Sequence, residues 1–240
     1  MITAITLSFI IAGLVEVLLP IVIGYYVIKR LKTSKKIWMV GALMFIISLV
    51  RLPLNTYLSN LAVSGGVTNI SYTLVYLIPS LTAGVFEESG RYIGIRYLIK
   101  DESYETGLTY GAGHGGIESI LLVGVNVLVT GILIIINPAT IPQPQLNAIL
   151  MMPWYMPLIG AYERVMVMII HLSLSIMVLE TLRTKKITFL IIAVIAHTAV
   201  NYLSIVAVGY SVLYAELVVT GFAIGLGEWA YTRIKDEIKV

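Results

Sequence analysis

The chain has 240 residues, of which 58% are hydrophobic and 12% charged, with a mean hydropathy of +0.94 and a net charge of +3. A soluble domain carries about 25% charged residues, so this balance excludes one and leaves a polytopic membrane protein. Without a cysteine the chain can form no disulfide, no thiolate metal site and no cysteine nucleophile.

No ten-residue alternation suggests a β-barrel. Seven apolar segments reach the roughly 20 residues that a helix needs to cross a bilayer. They cover residues 2–28, 37–58, 70–99, 104–136, 155–181, 187–207 and 211–233. The first is too long for a signal-peptide core and lacks a basic leader, so it reads as a retained span. Arg51 and Pro53 weaken the second near its outer end. The third and fourth are long enough to be tilted or bent. No internal repeat is evident. The predicted fold is an all-α bundle of seven transmembrane helices in one integral membrane domain, residues 1–240.

Basic residues set the orientation. Lys29, Arg30, Lys32, Lys35 and Lys36 occupy the first connection, Arg96 and Lys100 the third, Arg183, Lys185 and Lys186 the fifth, and Arg233, Lys235 and Lys239 the tail. Only Arg51, Arg91 and Arg164 among the 16 basic residues lie elsewhere. With seven spans those connections share one side, which the positive-inside rule makes cytoplasmic. The N-terminus is then outside and the C-terminus cytoplasmic, in the cell membrane. The same placement explains the positive charge with the lipid bilayer as partner and no nucleic acid.

All three histidines, His114, His171 and His197, fall in mid-span, as do Glu87 and Glu88. Ionisable groups at bilayer depth are costly, so they face a bundle interior or a wet cavity and mark function. Counted from the cytoplasmic ends at 1.5 Å per residue, Glu87 and the three histidines all lie roughly 15–20 Å deep. Four spans thus put polar groups on one level, which predicts a shared cavity open towards the cytoplasmic half.

Four constellations carry chemistry. Arg91 lies four residues after Glu87 and three after Glu88, within reach of either on a helix face. One carboxylate could pair with it while the other serves as a base; a purely structural ion pair is the alternative. His114 and Glu118 are one turn apart, among Gly111, Gly113, Gly115 and Gly116, which leave room for close helix packing or for a substrate. His197 and Asn201 repeat that spacing and could bind water, an oxyanion, a metal or each other. His171 follows Glu163 by two turns, but Glu163 is expected to pair with Arg164. H-E-x-x-H and G-x-S-x-G are absent, and Asp101 and Asp236 lie at the cytoplasmic surface.

Taken in order, Glu87-Glu88 with Arg91, Tyr110 to His114, and His197 to Asn201 resemble the glutamate-type intramembrane peptidases. That superfamily includes the type II CAAX prenyl endopeptidases, the CPBP proteins, PrsW and the Aph subunit of gamma-secretase. The added Glu118 and His171 make the chain most similar to the YhfC branch, described as intramembrane metalloproteases. The resemblance spans about residues 70–207, the expected catalytic core. It departs from the CAAX pattern in the Glu-to-Arg spacing and in His171.

The resemblance implies hydrolysis of a peptide bond in a membrane-embedded or lipidated substrate. Glu87 would activate water beside His114, His197 and Asn201 would stabilise the oxyanion, and Glu88 and Arg91 would hold the site. The residues also fit a Zn2+ site of His114, His171 and His197, with Glu118 as a further ligand, and equally a metal-independent glutamate mechanism. Two other readings stay open: a non-catalytic membrane scaffold like the Aph subunit, and a small proton-coupled transporter.

Overall fold

Backbone polar groups in hydrocarbon find no water, so apolar runs of this length close into helices. The computed structural model describes residues 3–64 and 72–238, and no strand occurs among them. The helices are α1 (Ala4–Leu31), α2 (Lys35–Ser48), α3 (Arg51–Ser64), α4 (Tyr72–Ile93), α5 (Tyr104–Glu118), α6 (Val125–Ile136), α7 (Gln143–Met151), α8 (Met156–Thr184), α9 (Thr188–Val208) and α10 (Val212–Ile234). A π-helical turn over Gly94–Ile99 extends α4, and another over Ser119–Gly124 joins α5 to α6.

Among the described residues, six helical stretches are long and apolar enough to cross a membrane: Ala4–Leu31, Lys35–Leu58, Tyr104–Ile136, Met156–Thr184, Thr188–Val208 and Val212–Ile234. The expected second and fourth spans therefore each run through two helices. The α4 helix with its π turn also has spanning length, but it carries Glu87, Glu88, Arg91 and Arg96 and is not one of the six. The first residues expected for that span, 70 and 71, lie outside the described residues. The outer surface carries the apolar side chains that lipid requires, among them Leu7, Leu18, Ile21, Ile136 and Ile195, each at least half exposed. The protein is an integral membrane protein.

The centre of the bundle is α8, flanked by α1, α5, α9 and α10, while α2 packs on α5 and α4 on α9. Close approach of α2 to α5 depends on glycine. A Cβ on Gly113 would lie 2.0 Å from the Trp38 carbonyl oxygen, and one on Gly41 would lie 2.3 Å from that of Tyr110. A Cβ on Gly115 would meet the His171 ring on α8 at 3.0 Å. The glycines around His114 thus bring its helix against both neighbours.

The two ends of the bundle differ. At the end bearing the basic connections, Ile37, Val40, Ile95, Tyr104, Ile176, Leu179 and Leu182 form a buried apolar plug. At the other end α7 lies near the start of α1, where Ile149 packs with Ile5 and Phe9. Trp154 and Tyr155 are exposed just beyond it, as in aromatic interfacial belts.

Candidate functional site

Between the plug and the far end, α4, α5, α8 and α9 place charged side chains in one buried layer. Glu87 on α4 is 1% exposed, and its two oxygens face different partners. Oε1 accepts from Arg51 Nη2 at 2.7 Å, at the start of α3. Oε2 lies 3.0 Å from His114 Nε2 on α5 and 3.9 Å from His197 Nε2 on α9. One carboxylate oxygen therefore faces two imidazoles.

Glu88 also faces two partners. Its Oε1 meets His197 Nδ1 at 2.6 Å, and its Oε2 pairs with Arg91 Nε at 2.9 Å. Arg91, fully buried, donates from Nη1 to Ser175 Oγ at 2.6 Å and to the His171 carbonyl at 3.0 Å. Its Nη2 lies 2.6 Å from His171 Nδ1. A guanidinium has no acceptor, so Nδ1 must accept and the neutral ring carries its proton on Nε2.

That Nε2 is 2.7 Å from Glu118 Oε2. Glu118 Oε2 is nonetheless buried without a hydrogen-bond partner, because the pair is not aligned for one. The two atoms face each other at ion-pair distance, at the edge of a wider group of side chains able to hold a cation. Glu87, His114, Glu118 and His171 in fact offer one ligand atom each, all within 4.8 Å of one another. Imidazole and carboxylate donors in this number fit Zn2+ chemistry. Ligation by His171 Nε2 would require its proton to leave, a constraint that the Arg91 contact imposes. His197 stands outside this group of four, with one nitrogen on Glu88, so the grouping differs from a three-histidine set.

A cavity of about 360 Å³ reaches this layer. Its walls include Arg51, Glu118, His171, His197 and Asn201; Glu87 and His114 do not line it but touch residues that do. Other walls come from Pro79 and Ser80 on α4, Glu163 and Arg164 on α8, Ser204 and Val208 on α9, and Ala215 on α10. All of these lie on the side of the layer away from the basic connections. The expectation of a cavity open towards the basic, cytoplasmic half is corrected: the apolar plug fills that half, and the space opens the other way.

Glu163 contacts Arg164 as expected, and Arg164 also reaches Glu118 at 3.6 Å, tying the mouth of the cavity to the layer. Three site neighbours went unnoticed in the sequence. Arg51 looked only like a weak point in a span, although an isolated arginine between apolar runs was the available signal. Ser175 carried no signal at all. Glu16, a lone acid in the first span, is 1% exposed with both oxygens unpartnered.

The family described as YhfC intramembrane metalloprotease matches residues 15–223 of the chain. The chain is also similar to the "Uncharacterized membrane protein YhfC" of Bacillus subtilis (strain 168), 28% identical over 206 residues that cover 79% of this chain and 80% of that protein. No solved structure matches it.

Proposed function

The chain belongs to the YhfC intramembrane metalloprotease family, and from that membership and the layer just described we propose that it hydrolyses a peptide bond of a membrane-associated substrate. The observation that carries the reading is the convergence of Glu87, His114, Glu118 and His171 beside a cavity that reaches the bundle interior. A fixed set of carboxylates and imidazoles away from bulk water suits activation of one water against an amide.

A divalent cation such as Zn2+ held by His114, His171 and Glu118, the two-His-one-Glu set of catalytic zinc, would lower the pKa of a water there and polarise the scissile carbonyl. Glu87 Oε2 is the base that takes the water proton. His114 Nε2, 3.0 Å from that oxygen, donates to it and orients it, and the protonated Glu87 itself returns the proton to the leaving nitrogen. Asn201 and His197, one turn apart on the cavity wall, would stabilise the developing charge of the carbonyl oxygen, His197 doing so as an imidazolium because its Nδ1–H is held by Glu88. Glu88 and Arg91 act through others: Glu88 fixes His197 and Arg91 fixes His171. In the proposed topology α4 is a seventh span, the N-terminus is outside and the basic connections are cytoplasmic.

Removal of a general base typically costs 10²–10⁴-fold in rate. Glu87→Gln and His197→Asn are expected to abolish cleavage of a single-span or lipidated test peptide while the bundle stays folded, and Glu163→Gln to retain activity. Metal analysis of the purified protein should find a divalent ion that His114→Ala loses. A folded Glu87→Gln protein that cleaves like the parent would sink the assignment. The scaffold reading would then lead, since Arg51 and Arg91 already pair with both glutamates.

A further inference from the structure

We propose that the site is entered from the end of the bundle opposite the basic connections, so that its peptide is an aliphatic segment in the extracytoplasmic half of the membrane and not a cytoplasmic tail. The chemistry of the site rests on the protease reading above; the route does not. Three observations carry it.

First, the cavity wall is built from the early turns of α4, α8 and α10 and the last turns of α9, at Pro79, Glu163, Ala215 and Val208. In each of these helices the other end leads to a basic connection or the basic tail. Second, the route from the basic side is blocked. Tyr104, Ile176, Leu179 and Leu182, each no more than 5% exposed, fill the bundle between the layer and that surface. Close packing of this kind leaves no passage for water, let alone for an extended peptide. Third, charged groups run inward from the open end. Glu163 and Arg164 stand at the mouth, Arg164 reaches Glu118, and Glu118 touches His171. Water can follow this line, whereas in the plug the hydroxyls of Tyr104 and Tyr110 are already taken, by Glu180 and by the Gly90 carbonyl.

Sidedness follows from charge. Lys and Arg near span ends stay cytoplasmic, so the open end faces outward. The exposed Trp154 and Tyr155, about eight residues before Glu163 on α8, set the membrane surface near the mouth; at 1.5 Å per residue the mouth lies about 12 Å below it. A peptide lying in this cavity would meet Val167, Ile170, Val200 and Val219 on its apolar side, which favours aliphatic residues over charged ones next to the scissile bond.

The chain has no cysteine, which makes single-cysteine labelling clean. Ser204→Cys and Val208→Cys, both on the cavity wall, would be compared with Gln143→Cys at the far end and Lys185→Cys at the basic end. A membrane-impermeant maleimide is applied to right-side-out and to inside-out vesicles. The cavity cysteines are expected to label from the same face as Gln143→Cys, and that face to be the outer one. Labelling from the Lys185→Cys face, or from neither face in both variants, overturns the route. Labelling together with Gln143→Cys but from the inner face overturns the extracytoplasmic assignment. In a parallel assay, a single-span reporter with an aliphatic segment in its outer half should be cut in preference to a prenylated cytoplasmic tail. Preferential cutting of the tail overturns the substrate class. If neither is cut while the labelling holds, the route stands and the protease reading is what fails.

Discussion

Arg51 shows how much a single residue can decide at this depth. It is 8% exposed and donates to Glu87, whose second oxygen is shared by two imidazoles. A buried ion pair contributes little over an apolar one, but removing a single partner strands a charge at a cost of about 3–5 kcal/mol. Arg51→Met is therefore expected to lower thermal stability in detergent markedly, and Glu87→Gln alone to lower it less. The double variant should recover much of the loss, because no charge is then left unpaired. Additive effects in this cycle would show that the two side chains do not interact. Such residues read poorly in sequence, where Arg51 is simply an interruption in an apolar run. Its role exists only once α3 turns it back onto α4.

Among the elements, the contact of α2 with α5 is the most demanding. Lipid gives two apolar helices no hydrophobic reason to associate, so they depend on close backbone approach. Gly113→Ala would put a methyl group 2.0 Å from the Trp38 carbonyl oxygen, which forces the helices apart. Overpacking typically costs about 1–3 kcal/mol, and here it also moves His114, one residue on. Gly225→Ala on α10 meets nothing within 4 Å and is the matched control. Thermal unfolding should separate the two clearly; an equal effect would mean that helix propensity and not packing governs both positions. The glycine run around His114 could be read from sequence either as packing or as space for a substrate. The structure explains Gly113 and Gly115 by packing, while the open space lies elsewhere, between α4, α8, α9 and α10.

For the whole molecule, charge asymmetry predicts topology. Single cysteines at Ser34 and Gln143 are expected to label from opposite faces, with Ser34 cytoplasmic. Labelling of both from one side would remove the seven-span arrangement and return α4 to a helix that does not cross.

Composition and hydropathy by themselves determined the membrane class and the helical fold, because a bilayer allows few other ways of pairing backbone groups. They also placed the boundaries of the six apolar helical stretches to within a few residues, and His114, His171 and His197 within three of them. Each of these is a one-dimensional property: counting residues along a helix of fixed rise gives depth. Rotation about the helix axis, and the choice of neighbour, are not. Only the tertiary structure decided that Glu88 meets His197 while Glu87 meets His114 and Arg51, and that Glu118, not His197, lies with Glu87, His114 and His171 in the group whose side-chain atoms fall within 4.8 Å of one another. It also decided which half of the bundle stays open. Side-chain volume sums differently on the two sides of the polar layer: Tyr104, Ile176, Leu179 and Leu182 close the basic side, while the other side keeps a cavity of about 360 Å³. Such a difference depends on which residues face one another across helices, and no single stretch of sequence carries it.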